Sequence, residues 1–299
     1  MTTARYRTIW VSDTHLGTRD CEAGALLDFL DGHECEYLYL VGDIVDFWRL
    51  RRAPQWATRH SDVVRSVLAK AGAGTLVTLI PGNHDEYLRR FCDLQVGNIM
   101  VTREAVHRTA DGRLFLIVHG DEFDSVTSCH RWVAVTGDVC YQVLLVLNRW
   151  VNRGRLRFGL PYASLSAYVK HRVKQAVTYM TEFETGLARE AARRAMQGVV
   201  CGHIHRAELR EIEGIVYCNT GDWVESCTAL VERMDGGLEL LRMVPATARS
   251  GASPAVAPRL LGRNGPARPG SRVGRASGAG DPAPLETEVE AGAGRGRRS

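Results

Sequence analysis

The chain lacks paired cysteine motifs, apolar runs of membrane-spanning length and, through most of its length, proline. Its eight cysteines, at 21, 35, 92, 129, 140, 201, 218 and 227, are scattered with no Cys-x-x-Cys pair. That spacing argues against a disulfide framework and for reduced, largely buried thiols in a cytosolic protein. The best apolar stretch, Val143 to Val151, is interrupted by Asn148 and Arg149, well short of the roughly 18 consecutive apolar residues of a spanning helix. Met1 to Trp10 runs directly into the segment ending at Asp13, so no leader peptide is expected.

A basic body is missing too. The formal net charge is +4, but residues 245–299 carry nine arginines against Asp281, Glu286, Glu288 and Glu290, which leaves residues 1–244 near −1. A near-neutral body argues against nucleic acid as a partner. The same tail holds seven of the ten prolines and almost no aromatic or β-branched residue. It cannot bury enough apolar surface to offset its chain entropy, and 245–299 reads as a disordered Arg/Gly/Pro/Ala-rich tail.

What is present is a hydrophobic content of 45% over 299 residues, enough for a large single core. Tyr37-Leu38-Tyr39-Leu40-Val41 runs into Gly42-Asp43-Ile44-Val45-Asp46, as a buried parallel strand does when it ends by pointing an acid out of the sheet. Four other apolar strands end the same way. Thr8 to Ser12 leads into Asp13-Thr14-His15, and Thr75 to Ile80 into Gly82-Asn83-His84-Asp85. Leu114 to Val118 leads into His119-Gly120-Asp121, and Gly198 to Cys201 into Gly202-His203-Ile204-His205. Helices are expected over Glu22–Leu30 and from Pro54 to about Lys70, and antiparallel strands over Ile215–Cys218, Thr228–Glu232 and Leu238–Met243. Between the fourth and fifth strands, apolar residues at helical spacing from Leu165 to Leu187 mark a helical insertion.

Each strand end taken singly is a common turn, and a histidine there is usually a satisfied surface or core residue. Five in order are another matter. Carboxylate, imidazole and amide groups gathered at the carboxyl edge of a sheet are the ligands that two divalent ions require, with positions left for water and phosphate.

The five blocks resemble the calcineurin-like metallophosphoesterase superfamily. The resemblance implies an α/β fold, a four-layer α/β/β/α sandwich, with residues 1–124 and 196–244 as the core and 125–195 as a helical lid insertion. It implies one metal held by Asp13, His15, Asp43 and His205, and a second by Asp43, Asn83, His119 and His203, with Asp43 shared. The ligand set suggests manganese without separating it from iron, cobalt or zinc. Two such cations about 3.5–4 Å apart activate water and neutralise charge during displacement at phosphorus. His84, oriented by Asp85, would serve the phosphate or leaving group as the catalytic residue, with Asp46 and Asp121 supporting ligands and loops.

Over about residues 5–244 the chain is further similar to the UDP-2,3-diacylglucosamine diphosphatase group of lipid A synthesis, on Ser12 to Gly17, Gly42 to Trp48, His119 to Asp124, Cys201 to His205 and Asn219 to Glu225. That likeness implies a nucleotide-lipid substrate cleaved to UMP and 2,3-diacylglucosamine 1-phosphate. It also implies a cytoplasmic enzyme in peripheral contact with the inner leaflet, and no obligate protein partner is evident. Arg149, Arg153, Arg157, Lys170 and Lys174 of the insertion are candidates to meet phosphates or anionic lipid, or else form a solvated basic face. The group carries arginine where this chain has His84, whereas the wider superfamily has histidine. A phosphodiesterase acting on another nucleotide or phospholipid is therefore the alternative. A non-catalytic scaffold of the same fold would have lost ligand positions, and none is missing here.

Overall fold

A computed structural model of the chain describes residues 4–126 and 165–244, with side chains placed at 4–123 and 177–244. Within them β1 (Ala4–Val11), β2 (His33–Val41) and β3 (Leu76–Ile80) run parallel, and the first sheet has the order β12-β11-β1-β2-β3-β5-β4. Here β4 is Gln95–Val96, β5 Ile99–Val101, β11 Thr228–Glu232 and β12 Leu238–Arg242. The second sheet has the order β6-β7-β8-β10-β9, from β6 (Ala105–Arg108), β7 (Leu114–Ile117), β8 (Gly198–Cys201), β9 (Glu208–Ile212) and β10 (Ile215–Asn219).

Alternation along the strands sets the layers. Trp10, Tyr39 and Val41 of the first sheet meet Phe115, Ile117 and Val200 of the second, with the Trp10 and Tyr39 rings stacked at 5.8 Å. The residues between them face the other way. Ile9, Val11, Leu38 and Leu40 pack on α1 (Ala23–Gly32) and α3 (Thr58–Gly72) through Leu26, Phe29, Leu30 and Val63. Leu116, Val199 and Cys201 pack on α4 (Leu165–Arg193) through Phe183, Leu187, Ala188 and Ala191. Strands buried on both faces need continuous apolar sequence, which is what made them legible. The result is the expected α/β/β/α sandwich, and the carboxyl ends of β1, β2, β3, β7 and β8 all carry the motif loops.

Three features differ from the sequence reading. A short helix α2 (Phe47–Arg52) follows directly on Asp46, whose carboxylate caps it by accepting from Arg49 N at 2.7 Å. The helix expected from Pro54 begins at Thr58. Most consequential, Phe183 to Ala191 lie within the stretch expected to be lid, yet this part of α4 is the outer layer of the second sheet. Its apolar spacing records packing on the core. Residues 127–164, with Arg149, Arg153 and Arg157, lie outside the described residues, as do the side chains of Lys170 and Lys174 and the tail 245–299.

Six described cysteines, Cys21, Cys35, Cys92, Cys201, Cys218 and Cys227, are free thiols. Burial pushes the Cys201 and Cys227 thiols up to about 12, so they are inert packing groups. No described helix is long and apolar enough to cross a membrane.

Candidate active site

Turning each strand sharply at its end requires unusual backbone. Asp13, His15, Asp43, His203 and His205 all adopt positive φ, between 47° and 71°. For non-glycine residues this is costly and concentrates where a site over-determines the geometry. Backbone ties hold the loops: Asp13 N donates to Gly42 O at 3.0 Å, His15 N to Asp43 O at 2.9 Å, and Gly202 N to His119 O at 3.2 Å. Two glycines permit the close approach. A Cβ at Gly82 would stand 2.5 Å from Asp43 Oδ1 and 2.6 Å from His119 Nε2, and one at Gly202 would stand 2.3 Å from Asp13 Oδ2.

The loops bring together Asp13, His15 and His205 in one cluster and Asp43, His119 and His203 in another, with ligand atoms in each within 4.8 Å of one another. His15 and His205 point their Nε2 atoms at each other at 3.3 Å, and His205 Nε2 lies 3.2 Å from Asp13 Oδ1. Around Asp43, the Nε2 atoms of His119, His15 and His84 stand at 3.6, 3.9 and 3.9 Å, beyond hydrogen-bonding range. Asp43 Oδ2, Asn83 Oδ1 and His119 Nε2 are buried and make no hydrogen bond. Such atoms are expensive to bury unsatisfied, and oxygen and nitrogen lone pairs converging without satisfying one another suit a divalent cation.

The electrostatics agree. Burial alone would raise the Asp13 carboxyl, but the neighbouring His205 outweighs it and holds Asp13 at about 2. Asp43 is likewise driven well below the usual range against its burial, chiefly by His119. Burial would depress His119; the Asp43 carboxylate instead lifts it to about 10. Two buried carboxylates that draw protons onto their imidazole neighbours form a site that demands positive charge.

Supporting groups fix which nitrogen faces the centre. His119 Nδ1 donates to Val41 O at 3.0 Å, turning Nε2 inward. The Asp46 carboxylate meets both His15 Nδ1 at 3.3 Å and His84 Nδ1 at 2.9 Å. This corrects the expected partner of His84. The Asp85 carboxylate is spent on backbone, accepting from Gly82 N at 2.6 Å and Ile44 N at 2.8 Å, and so ties the β3 loop to the β2 loop. Burial and then the nearby Asp43 raise the Asp85 carboxyl. Asp121 supports from outside: Arg89 spans its two oxygens at 2.7 and 2.8 Å and reaches Pro81 O at 3.3 Å.

Several contributing residues fell inside the runs that carried the family resemblance but had no role assigned to them. Ser12 Oγ donates to Asp13 Oδ2 at 2.5 Å and lies 2.5 Å from Thr220 Oγ1. Asn219 Nδ2 holds Gly202 O at 2.7 Å. Trp48 packs its ring 4.3 Å from that of His84. Only the run Asn219 to Glu225 within the family resemblance pointed toward the β10 loop.

The fold and this site together define a metal-dependent phosphoesterase. The chain belongs to the calcineurin-like phosphoesterase family, whose model matches residues 6–207. Curated relatives include the UDP-2,3-diacylglucosamine hydrolase of Haemophilus influenzae, 24% identical over 243 residues, which cover 76% of this chain and 95% of that protein. The enzyme of the same name from Edwardsiella ictaluri is 26% identical, with 68% of this chain and 77% of that protein covered. That of Porphyromonas gingivalis is 28% identical over 128 residues, 40% of this chain, and the match spans about half of that relative, 47%. Similar solved structures include Vps29 from Entamoeba histolytica, 14% identical with TM-score 0.38, covering 79% of this chain and 90% of that one. Phosphopantetheinyl hydrolase from Mycobacterium tuberculosis is 15% identical with TM-score 0.35, covering 74% and 91%.

Proposed function

We propose that the chain is a dinuclear-metal hydrolase that cleaves the pyrophosphate bond of UDP-2,3-diacylglucosamine, giving UMP and 2,3-diacylglucosamine 1-phosphate. The observation that carries the metal-dependent part is the paired His/Asp clusters joined through Asp43. The likeness to hydrolases of that substrate over most of their length supports the substrate.

Asp13, His15, Asp43 and His205 would hold one ion and Asp43, Asn83, His119 and His203 the other, with manganese the metal suggested by the donor set. When bound, the pair would supply Lewis acidity toward the phosphoryl oxygens and an activated water. Asp46 engages His84 Nδ1 and turns Nε2 toward the same centre, 3.9 Å from Asp43 Oδ2. From there His84 donates a hydrogen bond or proton to the phosphate or the leaving oxygen. Trp48 closes one side of this imidazole and limits water there.

The insertion is proposed to cover the acyl chains. Contact with the cytoplasmic face of the inner membrane is supported by a rim beside the site. Trp48, Tyr87 and Phe91 are 39%, 37% and 52% exposed, and Arg51 and Arg90 lie over the Tyr87 ring at 5.7 and 5.5 Å. Aromatic and arginine side chains exposed together suit an anionic bilayer surface.

His84 favours one second reading, a phosphodiesterase of another nucleotide or phospholipid, because the lipid A group carries arginine at that position. The two readings separate in one assay. Manganese-loaded protein should release UMP from UDP-2,3-diacylglucosamine; turnover of an aryl phosphodiester without UMP release would overturn the substrate and keep the chemistry.

A further inference from the structure

We propose that Phe183 and Glu184 of α4 are positioning residues for the metal-binding loops, so that one turn of a core helix sets the affinity of the site for its cations. The proposal rests on the metal-site reading above.

Phe183 is buried where α4 passes beneath two strand-end loops. A Cβ at Gly120, the residue after His119, would stand 2.7 Å from Phe183 Cζ and 3.8 Å from His203 Cβ. The Phe183 ring lies 5.9 Å from the His203 imidazole. One aromatic side chain therefore fills the space between the His119 loop and the His203 loop, and sets how closely two candidate ligands of the same ion approach. Gly120 takes φ 112° to allow it.

Glu184, 1% exposed, engages the His205 loop. Its carboxylate pairs with Arg210 and, at 3.7 Å, with Arg206, the residue next to His205. Arg206 also reaches Glu208 at 3.2 Å and lies 4.0 Å from Met180 Sδ. A carboxylate this buried is held in place by its partners and holds them in return. Met180, Phe183 and Glu184 share one face of α4 by their spacing of three and four, and that face touches loops bearing His119, His203 and His205. Leu187 and Ala191, one and two turns further on, pack in the same core cluster with Leu116, Val199 and Cys201, and as aliphatic side chains they offer those loops no ring contact or ion pair.

This asymmetry gives the test. Phe183→Leu and Glu184→Gln are compared with Leu187→Ala, which damages the same helix away from the loops. Manganese affinity is read by isothermal titration of metal-stripped protein, with thermal unfolding measured in parallel. Groups that orient metal ligands typically change affinity 10- to 100-fold, so Phe183→Leu and Glu184→Gln should each weaken manganese binding by about tenfold or more. Leu187→Ala should lower Tm with affinity unchanged within about threefold. If all three variants lose affinity only in proportion to lost folded protein, or if the first two bind manganese as the parent does, the positioning role is overturned. If the parent itself takes up no divalent ion, the metal-site reading fails instead, and that outcome is distinguishable from the others.

Discussion

At the scale of single residues, Asp46 in the loop after β2 and Asp85 in the loop after β3 divide labour in a way their chemistry does not announce. Asp46 meets two imidazoles, whereas Asp85 collects backbone N–H groups. Asp46→Asn should keep α2, because asparagine caps about as well as aspartate. It should nevertheless lower kcat about 10- to 100-fold through misoriented His15 and His84, as steady-state kinetics on an aryl phosphodiester would show. Asp85→Asn should do the reverse first, costing about 1.5–3 kcal/mol of stability in a denaturant titration as charged-acceptor bonds to the loop backbone are lost. A larger kinetic loss for Asp85→Asn at unchanged stability would restore Asp85 as the partner of His84.

At the scale of elements, the two short helical turns at the site's edge look like connectors and are positioned as a surface. α2 leaves from Asp46 and the 3-10 turn Glu86–Phe91 from Asp85, so the loops that bear the site also aim Trp48, Tyr87, Arg51 and Arg90 outward. Phe47 and Tyr87 join the turns, with ring centroids 6.3 Å apart. If this rim meets an anionic bilayer, each arginine contributes about 1 kcal/mol. The double variant Arg51→Ala/Arg90→Ala should then partition about thirtyfold more weakly onto phosphatidylglycerol-containing vesicles in cosedimentation, with hydrolysis of a small diester intact. Equal binding by parent and variant would remove this face from the membrane proposal. Neither turn was legible beforehand, because six residues are too few for a period to show.

At the scale of the whole molecule, the two sheets are joined by a polar cluster as well as an apolar one. Glu232 of β11 is fully buried and accepts from Thr8 Oγ1 at 2.6 Å, Ala110 N at 2.7 Å and Arg7 at 3.0 Å. It lies 3.0 Å from Nε2 of His107, whose Nδ1 is 3.1 Å from the Tyr39 hydroxyl. Burial opposes ionisation of Glu232, but His107, Thr8 and the Ala110 N–H hold its carboxyl below the usual range. A depressed carboxyl contributes stability that is present above its unfolded value of about 4.3 and lost as pH falls through the folded value. Urea midpoints should therefore drop between about pH 5 and pH 3 in the parent, and by less in Glu232→Gln, which should already be about 3 kcal/mol less stable at pH 7 because Arg7 loses its partner. A parallel pH dependence in the two proteins would mean that Glu232 does not govern acid stability.

What the sequence by itself determined was the set of buried strands and the residues at their ends. Both are local: a strand covered on two faces must be apolar throughout, and a ligand loop must begin where it stops. Asp13, His15, Asp43, Asn83, His119, His203 and His205 could be picked out as ligand-type residues at strand ends for that reason, while the roles expected of them and the layer order came from the family resemblance those blocks carried. Only the tertiary structure decided which carboxylate faces which imidazole: Asp85 is the chain neighbour of His84, yet the fold turns it onto the N–H groups of Gly82 and Ile44 and brings Asp46, from the preceding strand's loop, to His84 Nδ1. It also decided that Phe183 to Ala191 are core. A helix's apolar stripe records that it is covered, and what covers it depends on contacts between segments far apart in the chain.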